Sequence, residues 1–111
     1  MKSKIHYALS ARRDMDDIWN YIVSELQNPT AALRTMDRIA DAIDQLEIFP
    51  FIGTPLTSIA KTDTDYRYLV SGSYMVFYRV SGKDVYVDRV LYGRRDYLNA
   101  LLGDTSPEIM S

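Results

Sequence analysis

The sequence predicts an α+β fold: a strand, an antiparallel helical hairpin, a three-stranded antiparallel meander and a short C-terminal helix. Two observations support this. Apolar residues recur at helical spacing through the first half of the chain, and from residue 66 they alternate with period two. Short segments containing Gly separate the alternating runs, as in antiparallel hairpins. The length of 111 residues suits one domain, which we assign to residues 1–103, with 104–111 as a flexible tail.

The first helix is expected directly after a short strand, KIHYAL. Ser10 is the predicted N-cap, because its hydroxyl can accept a hydrogen bond from an early helical N–H. Asp14, Asp16 and Asp17 are expected on a solvated face of the first two turns, where the helix dipole favours anions. The apolar stripe of this helix consists of Met15, Ile18, Trp19, Ile22, Val23 and Leu26.

The second helix is expected to begin at Asn28, with Pro29 at its first position, and to end near Phe49. Its apolar stripe consists of Leu33, Met36, Ile39, Ala40, Ile43 and Leu46. A connection of about three residues makes the two helices antiparallel. A helical hairpin covers only one face of a four-stranded sheet, so the opposite face is expected to be largely open to a partner or ligand.

Three strands follow, YRYLV, YMVFYRV and DVYVDRVLY, joined by the turns VSGS and VSGKD. A last helix is predicted from about Asp96 to Leu102, with Gly103 as its C-cap. No run of apolar residues is long enough for a transmembrane helix, so no membrane association is expected.

The net charge argues against nonspecific electrostatic binding of nucleic acid. The net charge is −2, although residues 51–103 carry 7 Lys and Arg against 5 Asp and Glu, which leaves room for a local basic patch. Cysteine is absent, His6 is the only histidine, and no Gly-rich phosphate loop is present. We therefore expect no metal and no cofactor, and we assign His6 a structural or surface role.

Tyrosines and arginines concentrate in the strand region. The tyrosines could be half-buried strand residues or a platform that stacks bases or anchors a protein. Cleavage of a phosphodiester without a metal needs cations, an acid and a base. Arg67, Arg79 and Arg95 could supply the cations and Tyr97 the acid, but no base is evident. Arg89 interrupts an apolar strand, so it either pairs with an acid from the helices or reaches a target.

These segments, in this order and spacing, resemble the RelE/ParE superfamily of bacterial type II toxin–antitoxin toxins over residues 4 to about 102. The segments that carry the resemblance are LSARRDMDDIWNYI, PTAALRTMDRIADAIDQLEIFPFIGTPL and YRYLVSGSYMVFYRVSGKDVYVDRVLYGRRDYLNALL. The superfamily fold is the strand, helical hairpin and meander predicted above, and its members divide by mechanism.

RelE-like members are ribosome-dependent mRNA endoribonucleases, and this chain lacks most of their nuclease residues. YRYLV offers no lysine, Met75 stands where the central arginine is expected, and Leu101 falls near the position of the C-terminal tyrosine. Arg95 does match the later arginine. ParE-like members inhibit DNA gyrase, and their pattern matches Arg67, YMVFYR and RVLYGRRD, with Tyr92 where a histidine is common. The resemblance is therefore closer to ParE.

The resemblance implies a cytoplasmic toxin that arrests growth, stabilises plasmids by inhibiting DNA gyrase and is neutralised by a cognate antitoxin. It implies target contacts by Arg67, Arg89, Arg94, Arg95 and Tyr92, and binding to DNA only through the antitoxin. We expect a non-enzymatic inhibitor. The alternative is a metal-independent mRNA endoribonuclease acting on the ribosome and mRNA through Arg67, Arg79, Arg95 and Tyr97. A third possibility is a non-toxic subunit that acts only with its antitoxin in DNA-binding autoregulation.

Overall fold

A computed structural model of the chain describes residues 2–58 and 64–93. The predicted C-terminal helix, its Gly103 cap and the tail at 104–111 lie outside the described residues. Within them the elements are β1 (Lys4–Tyr7), α1 (Leu9–Asn20), α2 (Pro29–Asp44), β2 (Thr54–Pro55), β3 (Arg67–Ser71), β4 (Tyr74–Ser81) and β5 (Asp84–Tyr92). A π-helical turn at Tyr21–Glu25 extends α1, and 3₁₀ turns lie at Gln45–Glu47 and Leu56–Ser58.

In the described part of the chain the sheet has five strands in the order β1-β5-β4-β3-β2, so the prediction of four strands is wrong. The extra strand, β2, is only two residues long and lies in a segment where proline and glycine hide any periodicity. β1 pairs with β5 in parallel, and the other neighbours are antiparallel, which confirms the meander. Each of the two hairpins has a two-residue turn. The first residue of each turn is a glycine with positive φ, Gly72 (+59°) or Gly82 (+61°), as in type II′ turns.

The main core lies between the helical hairpin and one face of the sheet. Its buried members include Ile18, Ile22, Ile39, Ile43 and Leu46 from the helical region and Val76, Tyr78, Val85, Val87 and Val90 from the strands. A second, smaller cluster comprises Leu56, Met75, Phe77 and Leu91, with Tyr66 and Tyr68 packed against it. The expectation of a largely open opposite face is therefore wrong, because the segment around Leu56 packs there.

Of the two predicted helix N-termini, the one of α2 is correct and the one of α1 is wrong. Asn28 caps α2 as expected, since its Oδ1 accepts a hydrogen bond from Ala31 N at 3.1 Å, with Pro29 directly after it. In contrast, α1 begins at Leu9, its cap residue is Ala8, and no side chain caps it. Ser10 is thus inside the helix. Leu26, predicted in the apolar stripe, is exposed, because the π-helical turn before it shifts the helical phase.

Candidate target-binding surface

The first turns of α1 complete one edge of β5. The pairing of β1 with β5 ends at Tyr7 and Val87, and Ala8 N then donates to Val87 O at 2.9 Å. Farther along, Ser10 Oγ donates to Asp88 O at 2.7 Å, and Asp14 Oδ2 accepts from Val90 N at 2.9 Å. Because α1 replaces the missing strand partner, Ser10 serves the sheet edge and not the helix end.

Asp14 also holds Arg89. Its carboxylate accepts hydrogen bonds from Arg89 Nε at 2.7 Å and Nη2 at 2.9 Å. These bonds raise the pKa of Arg89 above its ordinary value. Asp14 is buried at 8% exposure, so the expectation that it lies on a solvated helix face is wrong. The interpretation that Arg89 pairs with a helix acid is confirmed, and its contact with a target stays a prediction.

A β-bulge places Asp88 at the centre of a second charged group. Phe77 pairs with Arg89 and Tyr78 with Val87, so Asp88 is the extra residue. Asp88 Oδ2 accepts from Arg79 Nε at 2.8 Å and from the Tyr66 hydroxyl at 2.9 Å. Burial, and then the hydrogen bond to Asp88, raises the pKa of Tyr66 to about 12.

The raised pKa of Tyr66 predicts that the folded protein loses stability at alkaline pH. An unfolded tyrosine loses its proton near pH 10, whereas folded Tyr66 retains it until about pH 12. The folded state therefore binds more protons in this window, and the free energy of unfolding should fall as the pH rises through it. Urea unfolding at pH values between about 10 and 12 should show that the free energy of unfolding decreases less steeply with pH for Tyr66→Phe than for wild type. Tyr21→Phe, which changes an exposed tyrosine, is the control and should behave like wild type. Equal slopes for wild type and Tyr66→Phe would contradict this prediction.

His6 extends the group around Asp88 across the sheet. Its ring stacks on Tyr86 with centroids 5.0 Å apart, and its Nε2 lies 2.8 Å from Asp84 Oδ1. The Arg79 guanidinium lies 5.6 Å from the centroid of Tyr66 and 6.0 Å from that of Tyr86. The only histidine thus has structural contacts, as expected. The Arg79 guanidinium thus joins Tyr66, Tyr86, His6 and Asp88 into one contiguous group.

Arg67 supports a loop. Its Nη1 donates to Phe51 O at 3.2 Å and to Gly53 O at 2.8 Å, and its guanidinium lies 5.0 Å from the centroid of the Phe51 ring. The hydroxyl of buried Tyr78, the cross-strand partner of Arg67, accepts from Gly53 N at 2.8 Å. These contacts tie the segment between α2 and β2 to the sheet. Sequence reasoning missed this network, although Gly53 between two prolines was a signal for it.

The tyrosines within the described residues do not form one platform. Tyr78 and Tyr74 pack in the core on the helical side, and Tyr92 meets Tyr74 edge-on with centroids 5.8 Å apart. Tyr66 and Tyr68 pack against the smaller cluster. Tyr92, a predicted target residue, also lines a cleft of about 710 Å³ at the hairpin end of the fold, together with residues such as Tyr21, Leu26 and Tyr74.

The predicted site residues are only partly brought together. Arg67 shares a sheet face with its partner Tyr78, whereas Arg79, the next residue along β4, lies on the other face. Arg94, Arg95 and Tyr97 lie outside the described residues. Within residues 2–58 and 64–93, no cluster of three or more acids or histidines is arranged to hold a metal ion. In the same ranges, no helix has the length and apolarity to cross a membrane.

The helical hairpin and the mixed sheet are similar to the folds of two solved chains from toxin–antitoxin systems. A solved chain of the chromosomal ParDE system from P. aeruginosa matches with a TM-score of 0.68 and 22% identity, over 82% of this chain and 96% of that one. A chain of the toxin–antitoxin complex RelBE2 from Mycobacterium tuberculosis matches with a TM-score of 0.55 and 18% identity, over 83% and 99%.

The chain belongs to the ParE toxin family of type II toxin–antitoxin systems, whose family model matches residues 5–97. A curated relative, the "Putative toxin Y4kP" of Sinorhizobium fredii, is 33% identical over 102 residues, which are 90% of this chain and 98% of that protein. The protein is therefore the toxin component of a type II toxin–antitoxin system, and it is closer to ParE than to RelE.

Proposed function

We propose that this toxin acts as ParE-like members do, by inhibiting DNA gyrase in the cytoplasm without enzymatic activity of its own. The observation that carries the proposal is the ParE family match over residues 5–97. It covers RVLYGRRD, where the resemblance places Arg89, Arg94 and Arg95 as target contacts. Growth arrest and plasmid stabilisation would follow from trapped gyrase.

The alternative, an mRNA endoribonuclease, has less support from the described part of the site. Met75, at the position of the central arginine of RelE-like nucleases, is buried beside Phe77 and Leu91. Arg67 and Arg79 lie on opposite faces of the sheet, so they cannot bind one phosphate together. Each also has an intramolecular role, Arg67 under the loop and Arg79 on Asp88.

A cognate antitoxin is the second part of the proposal. Both solved neighbours belong to toxin–antitoxin systems, named ParDE and RelBE2. Such a partner would cover exposed apolar surface with an amphipathic helix or strand. Any contact of this toxin with operator DNA would then pass through the antitoxin, so the toxin alone should not bind duplex DNA.

The test is to titrate the purified full chain into DNA gyrase with supercoiled plasmid and to score trapped cleavage complexes. Wild type should trap them, and Arg95→Ala should require at least about tenfold more protein, the scale of a binding hot spot. Arg38→Ala, which removes an exposed arginine of α2, should behave like wild type. If folded wild-type protein traps nothing, gyrase inhibition is refuted. New mRNA ends after induction would then support the endoribonuclease alternative.

A further inference from the structure

Four large apolar side chains are exposed within five consecutive residues. Ile48, Phe49, Phe51 and Ile52 are each between 51% and 62% exposed, on the segment that joins α2 to β2. Single exposed apolar residues are common on soluble proteins, but adjacent ones that form a patch indicate a binding surface. We call residues 48–52 the apolar loop.

Hydrogen bonds tie the apolar loop to the end of α2 and to β3. Ile52 N donates to Phe49 O at 3.1 Å across a turn that contains Pro50, and Phe49 N donates to Gln45 O at 2.9 Å. Arg67 donates to Phe51 O and Gly53 O from beneath, and it stacks on the Phe51 ring. A loop ordered before binding loses little conformational entropy when a partner docks. Arg67 is thus a positioning residue for the loop.

The end of α2 beside this loop carries negative charge. Asp41 and Asp44 are exposed in the last turn, Glu47 follows in the 3₁₀ turn, and the last turn has no basic residue. Acids at a helix C-terminus oppose the helix dipole, so they destabilise the isolated toxin. Among residues 2–58 and 64–93, none of the three acids forms a salt bridge. A cationic partner would compensate this unfavourable arrangement.

Among the residues assigned to gyrase, Arg67 contacts the apolar loop directly, whereas the end of β5 that precedes Arg94 and Arg95 is remote from the loop. Gly53, next to the loop, hydrogen-bonds Tyr78 toward the end of β4. Gly93, which begins the GRRD segment (residues 93–96), hydrogen-bonds Ser73 directly before β4. The apolar loop and Gly93 therefore lie toward different ends of β4. This separation favours the antitoxin over gyrase as the occupant of the loop.

We propose that the apolar loop docks a segment of the cognate antitoxin in which large apolar side chains are flanked by Lys or Arg. The inference rests on the antitoxin partner of the proposed function and adds the surface and the chemistry of recognition. The phenylalanines supply apolar anchors, and Asp41, Asp44 and Glu47 select the basic flanks.

The first experiment uses the tagged protein encoded beside this toxin's gene as the antitoxin probe and measures its Kd for the full toxin by calorimetry. The double variant Phe49→Ser/Phe51→Ser should raise the Kd at least about tenfold, because both aromatic anchors are lost. Leu33→Ser, a matched control, removes a comparably exposed apolar residue from the first turns of α2. Its Kd should stay within about twofold of wild type, and circular dichroism should show that all variants fold.

A charge reversal separates recognition from stability. Asp41→Lys/Asp44→Lys should raise the Tm of the free toxin, because cations suit a helix C-terminus. The same variant should weaken antitoxin binding several-fold at low salt and reduce the salt dependence of the Kd. A merely structural role for these acids would raise the Tm and leave the Kd unchanged, which would overturn the electrostatic part of the inference.

Other outcomes would refute the antitoxin as the partner of the apolar loop or assign the loop to a different partner. If the phenylalanine double variant binds the antitoxin like wild type, the docking site is refuted. Loss of gyrase trapping in that variant, with unchanged antitoxin Kd, would assign the loop to gyrase. Loss of toxin self-association in sedimentation, again with unchanged Kd, would assign it to a second copy of the chain. If wild type binds no antitoxin, the proposed partner fails as well, whereas a refuted docking site alone leaves that partner in place.

Discussion

Replacing Asp14 by alanine should lower the free energy of unfolding by about 3 kcal/mol, the lower part of the range for breaking a buried ion pair. The change removes the acceptor of three hydrogen bonds, two from Arg89 and one from Val90 N. Val90 N is buried and loses its partner, whereas the Arg89 side chain is 25% exposed and regains some hydration. Urea unfolding followed by circular dichroism measures the loss.

The control for this prediction is Asp17→Ala, which removes an exposed carboxylate from the next turn of α1. Its effect should stay within about 0.5 kcal/mol of wild type. Asp14→Asn should fall between the two, because the amide oxygen still accepts from Val90 N but carries no charge for Arg89. Equal stabilities of Asp14→Ala and Asp17→Ala would show that α1 does not depend on this contact.

Gly53→Ala should destabilise the fold by about 2–3 kcal/mol, the upper part of the usual range for overpacking. A Cβ at this position would lie 2.5 Å from the Tyr78 hydroxyl oxygen, 2.7 Å from Tyr78 Cε1 and 2.8 Å from Tyr68 O. Tyr78 is fully buried in the core and cannot swing away, and Tyr68 O belongs to the backbone of β3. The free energy of unfolding in urea is again the measurement.

Two further variants test whether the clash is the cause. Gly93→Ala should cost at most about 1 kcal/mol, because its nearest neighbour would be Ser73 O at 3.3 Å. Tyr78→Phe alone should cost about 1–2 kcal/mol, since Gly53 N loses its acceptor. Combined with Gly53→Ala, it should cost less than the sum of the two single changes, because the closest contact disappears. If the double variant costs the full sum of the two single changes, the clash with the Tyr78 hydroxyl is not the cause of the destabilisation by Gly53→Ala.

The elements that could be predicted from sequence are those in which local pattern and burial agree. The alternation in DVYVDRVLY matched β5 at both ends, and Asn28 with Pro29 matched the start of α2. The apolar spacing of both helices located most of the residues that the helical region contributes to the main core. Arg89 was also recognised as unusual, because a cation inside an apolar strand requires a partner.

For the candidate site, the sequence supplied the residue types but not their geometry. Arg67 and Arg79 share a strand region and a charge, yet they lie on opposite sheet faces with different partners. The sequence predicts that the second helix ends near Phe49, and it offers no pattern for the rest of the apolar loop, because turn residues carry no periodicity. Its exposure and its support by Arg67 depend on contacts with β3 and β4, which no local pattern contains.

The amino-acid sequence by itself determined the order of the described elements other than β2, the pairing of the hairpins and the ParE-like motifs of the last strand. It could do so because helical and strand periodicities and Gly turns act over a few residues. Only the tertiary structure decided that Asp14 is buried under Arg89 and that Ser10 completes a sheet edge. The contacts of Asp14 and Ser10 arise because β1 ends before β5 does. Backbone N–H and C=O groups of β5 beyond Val87 therefore need hydrogen-bond partners, and residues distant in the sequence supply them.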